Sequence, residues 1–234
     1  MHGVGRFGKI MTSATLSFDK YNSLVFDCDG VVLNSNKIKT RAFYNTTISY
    51  GEESAKLLVK YHVENGGVSR YKKFDYFINN ILPPDAPVPE LYKLVTSYAN
   101  EVRHGLLDCE VAEGLAQLRA RVSNANWFIV SGGDQAELRE VFTKRKLSKF
   151  FDGGIYGSPQ AKDEILSREI DNGNIRQPAV FLGDSRYDHE AAQRAGLDFV
   201  FISQWTEFKD WTNYCDSRNL WRAESLISEI HKNA

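Results

Sequence analysis

Two aspartates one residue apart, Asp27 and Asp29, close the apolar run 23–26, with Gly30 directly behind them. A hydrophobic strand gains nothing from carboxylates at its tip, because burying one is costly unless it is paired or bound to a cation. The chemistry such a pair offers is a nucleophilic carboxylate beside a second one that shuttles a proton and helps hold a metal. The plain alternative is a strand ending in an Asp-Gly turn.

Three later clusters bear on that choice. Ser131-Gly132-Gly133-Asp134 follows an apolar run and leads into a helical pattern, so a hydroxyl and free backbone N–H groups make an anion site there. An ordinary helix cap is the alternative. Lys162 opens the next helical pattern, where the helix dipole disfavours a cation unless an anion lies close; otherwise it is a solvated lysine. Gly183-Asp184-Ser185-Arg186-Tyr187-Asp188 places acids at both ends of a turn, which suits magnesium, although Asp188 alone also reads as a cap. Taken together the parts form one reaction. Asp27 attacks phosphorus, and Mg2+ is held by Asp27, the Asp29 carbonyl and Asp184, with Asp188 as a further ligand or support. Ser131, the Gly132 amide and Lys162 stabilise the phosphoryl oxygens, and Asp29 serves as general acid and base.

The elements that must position these residues alternate from residue 113 onward. Helices are predicted over 113–122, 135–146, 161–171 and 188–195, between strands at 127–130, 154–156, 179–182 and 199–202. Strands that are apolar throughout, separated by helices, imply a parallel sheet covered on both faces. The strand at 23–26 has the same character but is followed by an all-helical block, with patterns over 37–50, 56–61, 71–81 and 90–102. Phe74, Phe77, Ile78 and Ile81 repeat at i, i+3, i+4 and i+7 within that block. The expected organisation is an α/β core of residues 19–35 and 108–234, a helical insertion at 36–107 and a flexible N-terminal extension at 1–18.

Bulk properties exclude other classes. The 234 residues carry a net charge of -1, which gives no reason to expect nucleic acid or an anionic membrane as partner. No apolar run approaches the roughly 18 residues of a membrane helix, and Met1 to Ser17 lacks the apolar centre of a signal peptide. Cys28, Cys109 and Cys215 are odd in number and far apart, which fits a reducing, cytoplasmic setting rather than a disulfide framework.

In order and in strand-end context, Asp27-Cys28-Asp29-Gly30-Val31, Ser131, Lys162 and the 183–188 cluster resemble the four motifs of the haloacid dehalogenase superfamily. That resemblance implies a Rossmann-like core, magnesium dependence, an aspartyl-phosphate intermediate and a helical cap inserted after the first motif. Thr40-Arg41-Ala42-Phe43 and Gly67-Val68-Ser69-Arg70 look like cap elements of the β-phosphoglucomutase and phosphoglycolate phosphatase branch, which would place Arg70 over the substrate; a surface arginine is the alternative. Lys39 stands where the mutase carries a cap histidine, Asn34 where it has an acid, and Gly183 where it has Glu. Lys39 weakens the mutase reading and Gly183 with Asp188 fits the phosphatase pattern, which favours a phosphatase of a small phosphorylated metabolite such as a sugar phosphate over a phosphomutase. A dehalogenase needs no metal and so no Asp184/Asp188 pair, and a non-catalytic binding protein has no reason to keep all the motif residues. Cys28 reads as a packed hydrophobe, His189 as exposed, and Trp205, Phe208 and Trp211 as one helix packing on the core.

Overall fold

The computed structural model describes residues 16–232. Its centre is β1 (Ser23–Phe26), whose four residues are all buried. An inserted block of four helices follows: α1 (Asn36–Thr47), α2 (Glu52–Glu64), α3 (Arg70–Tyr76) and α4 (Leu91–Asp108). The chain then runs α5 (Leu115–Arg121), β2 (Asn126–Asp134), α6 (Gln135–Lys144), β3 (Gly154–Ser158), α7 (Lys162–Asp171) and β4 (Ala179–Gly183). It ends with α8 (Arg186–Arg194), β5 (Asp198–Ile202), α9 (Trp211–Arg218) and β6 (Trp221–Ala223).

The sheet is parallel, in the order β3-β2-β1-β4-β5-β6. It is the Rossmann-like α/β sheet expected, with helices inserted after its first strand. Because side chains alternate across a strand, Leu24, Phe26, Ile129, Val180 and Leu182 enter one hydrophobic cluster and Val25, Phe128, Val130 and Phe181 the other. α5 and α6 pack on the first face; α7, α8 and α9 contribute to the second. The first cluster continues without a break into the inserted helices through Phe43, Phe74, Tyr98 and Leu106. The 74–81 repeat faces inward as its spacing requires, although α3 gives way at Phe77–Ile81 to a π-helical turn.

Chain order reverses at β1: the next two strands lie on one side and the last three on the other. In such sheets the carboxyl ends of the two strands at the switch leave a crevice for ligands. Here those are β1 and β4, in register from Ser23↔Ala179 to Phe26↔Leu182.

Three expectations are corrected. Trp205, Phe208 and Trp211 do not share a helix; the chain is irregular until Trp211 opens α9. Thr206 Oγ1 donates to the Asp184 carbonyl (2.6 Å) and accepts from the Phe208 amide (3.1 Å), and side-chain bonding of that kind competes with helix. His189 is buried rather than exposed, because α9 covers that side of α8 and Tyr214 OH lies 2.8 Å from His189 Nδ1. The 1–18 extension falls outside the described residues up to residue 15, while Phe18 belongs to the fold, buried after the Ser17 cap.

Phe26 is inaccessible and packs on the rings of Trp127 and Phe151, at centroid distances of 4.7 and 5.7 Å. Phe26→Ala is expected to cost about 3–5 kcal/mol of stability, read from the midpoint shift in urea denaturation.

Candidate active site

Asp27 leaves β1 with its amide donating to the Leu182 carbonyl (2.9 Å), which fixes it beside the end of β4. Asp184 begins immediately after β4, and Asp188 lies in the first turn of α8. Carboxylate oxygens of Asp27, Asp184 and Asp188 all lie within 4.8 Å of one another, and all three residues are buried.

Lys162, the first residue of α7 and 1% exposed, places its ammonium 2.9 Å from Asp27 Oδ1 and in closer contact with Asp188 Oδ1. The lysine at a helix start is therefore neither solvated nor waiting for a phosphate alone: two carboxylates hold it. Burial works against its charge, but Asp188 and then Asp27 outweigh this and keep the ammonium protonated. Asp188 Oδ2 accepts from the Ser185 hydroxyl (2.6 Å) and the Ser185 amide (3.1 Å). Asp188 thus completes the capping box of α8 with the same side chain that faces Lys162. At Gly183 a Cβ would overlap the Cβ of Asp188, so a glutamate there is incompatible with this packing.

The charges do not balance within the cluster. Burial pushes the Asp27 carboxyl up to about 7, opposed by Lys162 and assisted by Asp188 and Asp29. Burial, then Asp188 and Asp27, push Asp184 well above the usual carboxylate range. Asp27 Oδ1, despite its ion contact, has no directed hydrogen bond. Three buried carboxylates around one ammonium fit a divalent cation.

Asp29 has a different environment. Lys39 Nζ from α1 lies 2.5 Å from its Oδ2 and the Ser35 hydroxyl 2.6 Å from its Oδ1. Burial alone would raise this carboxyl, but Lys39, Ser35 and Lys162 outweigh it and hold it below the usual range. Asn36, a residue the sequence did not single out, donates to Asp184 Oδ2 (2.7 Å) and to the Trp205 carbonyl (2.9 Å). Asn34, in contrast, turns away to Glu110.

Ser131 is fully buried, and its Oγ accepts from the Gly133 amide (3.0 Å). β2 runs on to Asp134, which caps α6, so Ser131 lies four residues before the helix rather than at its start. Gly132 meets the inserted segment directly: a Cβ there would strike the Gly67 carbonyl oxygen.

A cavity of about 260 Å³ lies between the inserted helices and the sheet tips, bordered by Asp27, Asp29, Gly132 and Asp184 below and by Lys39 and Arg70 above. That is smaller than the roughly 300–1,000 Å³ pockets of drug-sized ligands, so a small metabolite suits it. Ser131, Lys162 and Asp188 stand behind this wall rather than on it. Arg70 borders the cavity, but its guanidinium is engaged: Nη2 and Nη1 reach Glu137 at 2.5 and 3.0 Å and the group stacks on Tyr98. With Tyr71 OH donating to Asp134 (2.8 Å), it latches α3 onto the first turn of α6.

A family model for haloacid dehalogenase-like hydrolases matches residues 24–202, and the chain belongs to that family. Among solved structures it is similar to a haloacid dehalogenase-like family hydrolase from Streptococcus pneumoniae, with 20% identity, 83% of this chain and 91% of that one covered, and a TM-score of 0.60. It is likewise similar to CbbY from Rhodobacter sphaeroides in complex with phosphate, with 18% identity, coverage of 78% and 86%, and a TM-score of 0.59. CbbY bound to xylulose-(1,5)bisphosphate gives 16% identity, the same coverage and a TM-score of 0.60. No curated protein matches the sequence.

Removing Lys39 takes away the main attraction that keeps Asp29 ionised. Lys39→Met is therefore expected to move the acid limb of the pH–rate profile upward, by roughly 1–3 units. An unmoved limb would separate Lys39 from Asp29 in function.

Proposed function

We propose that this protein is a Mg2+-dependent phosphatase that hydrolyses a small phosphorylated metabolite such as a sugar phosphate through an aspartyl-phosphate intermediate. The observation that carries the reading is the meeting of Asp27, Lys162, Asp184 and Asp188 at the sheet's switch point, with Asp29 two residues beyond the nucleophile. When bound, Mg2+ would be held by Asp27, the Asp29 carbonyl and Asp184, where it neutralises phosphate charge.

An Asp27 carboxylate oxygen attacks phosphorus as the bond to the leaving oxygen breaks. The Gly132 amide at the cavity wall, with Lys162 and the Ser131 hydroxyl just behind it, stabilises charge on the transferring group. Lys162 is kept charged and aimed by Asp188, which thereby acts on the reaction through Lys162. Asp29, ionised in the free protein, takes up a proton as the anionic substrate arrives beside it and gives that proton to the leaving oxygen, with Lys39 and Ser35 stabilising the carboxylate it becomes. As a carboxylate it then takes a proton from water as that water attacks phosphorus, the bond to Asp27 breaks and phosphate leaves. Asp29 releases that proton once the product anion has gone.

In this reading residues 36–107 form the cap over a core of 19–35 and 108–234. The Arg70–Glu137 latch supports it: cap and core meet around the cavity, so the reaction is shielded from bulk water. The free cysteines suit a cytoplasmic enzyme. Among the described residues no helix is long and apolar enough to cross a membrane.

The test is phosphate release from a panel of sugar and organic-acid phosphates, with Mg2+, with chelator and with Asp27→Asn. Release is expected with Mg2+ only, and the substitution should lower it by a factor on the order of 10³ or more. Conversion of one phosphosugar isomer into another without release would replace hydrolysis by a mutase reaction. Neither activity from a folded protein would point to a binding role.

A further inference from the structure

Gly30 turns the chain behind Asp29 at φ +81°, and a Cβ there would overlap both Asp184 Oδ2 and Asn36 Nδ2. The space over Gly30 is filled by one contact, the hydrogen bond from Asn36 to Asp184. It joins two parts of the chain, because Asn36 opens α1 in the inserted block while Asp184 follows β4 in the sheet. Three side chains at the start of α1 serve the site in this way. Ser35 occupies the N-cap position but makes no side-chain cap bond, and its hydroxyl goes to Asp29 instead. A serine there ordinarily satisfies the free amides of its own helix. Lys39, one turn on, takes the other oxygen of Asp29.

The Asn36 amide has two N–H donors, and both are used: Asp184 Oδ2 accepts one (2.7 Å) and the Trp205 carbonyl the other (2.9 Å). A carbonyl can only accept, which fixes Nδ2 as the atom facing both partners. The next residue, Thr206, donates its hydroxyl to the Asp184 carbonyl (2.6 Å). Asp184 is thus braced at its carboxylate by α1 and at its backbone by the irregular segment after β5, and Asn36 ties the two braces together. Among the described residues no hydrogen bond reaches Asp184 Oδ1. An amide suits this place because it is neutral. A lysine or arginine would hold the carboxylate but repel a divalent cation, and an acid would add a fourth negative charge to three. An amide orients one oxygen and leaves the charge of the cluster as it was.

We infer that Asn36 is a positioning residue for the cation at the strand tips: it holds Asp184 Oδ2, keeps Oδ1 free for the ion and thereby sets the affinity for Mg2+. This rests on the Mg2+ reading of the site and adds to it a determinant that lies in the inserted block.

The test is calorimetric titration of Mg2+ into the metal-free chain, as wild type, Asn36→Ala and Asn36→Leu. Thr40→Val is the control, because Thr40 binds Glu207 (2.6 Å) from the same helix without touching Asp184. Both Asn36 variants should bind Mg2+ roughly 10–100-fold more weakly, and Thr40→Val as tightly as the wild type. The Mg2+ concentration that gives half the maximal rate of phosphate release should rise by the same factor, with most of kcat restored at saturating Mg2+. Should Asn36→Ala not fold, Asn36→Leu, which keeps the shape of the side chain, carries the test. A merely structural brace would lower the melting temperature of the metal-free chain and leave the Mg2+ affinity where it was. That result, or an equal loss of affinity in Thr40→Val, would overturn the inference while leaving the Mg2+ reading intact. A wild-type chain that binds no Mg2+ would instead sink the reading on which the inference stands.

Discussion

The ammonium of Lys162, buried between Asp27 and Asp188, is the interaction the rest of the site depends on. It draws the start of α7 to the tip of β1 and the first turn of α8, three elements far apart in the chain. Breaking such a pair by removing one partner leaves an uncompensated buried charge, so each member constrains the others. Asp188 cannot leave Lys162 without also releasing the Ser185 hydroxyl and amide, which fix the turn that carries Asp184. The contact still leaves the cluster short of positive charge, and that shortage makes a divalent cation a fitting guest.

Topology supplies the meeting place. Parallel strands present their carboxyl ends on one edge, and the reversal of order at β1 opens that edge between β1 and β4. The inserted helices close it from above. Their fit is specific in two places: the Gly67 carbonyl rests where only a residue without a side chain can lie beneath it, and Arg70 forks onto Glu137. Lys39 belongs to this same covering layer yet reaches Asp29. The inserted helices therefore set the protonation of Asp29 as well as the shape of the cavity.

What could be read from the sequence was what local pattern encodes. The all-apolar runs 23–26, 127–130 and 179–182 announce buried parallel strands, and the polar residues at their tips announce a site because a strand end has no structural need for them. Contacts made only by tertiary packing were silent. Nothing in the spacing of Arg70 and Glu137, or of Lys39 and Asp29, marks them as pairs, and Asn36 looks like any helix-start residue. The exposure assigned to His189 failed because the helix that covers it runs over Trp211–Arg218 rather than through Trp205, Phe208 and Trp211. Those eight residues follow an irregular segment held by Thr206, and the three-residue β6 is too short to show a period.

The central claim is that the strand-tip carboxylates form one cation-dependent site, and Mg2+ binding followed by thermal denaturation and calorimetry tests it most directly. With Asp27 near 7 and Asp184 well above its usual range, the ion must displace protons. Mg2+ is expected to raise the melting temperature of the wild-type chain, more strongly as pH rises from about 6 to 8, and to do little for Asp184→Asn. A wild-type melting temperature indifferent to millimolar Mg2+, or an equal gain in Asp184→Asn, would contradict it.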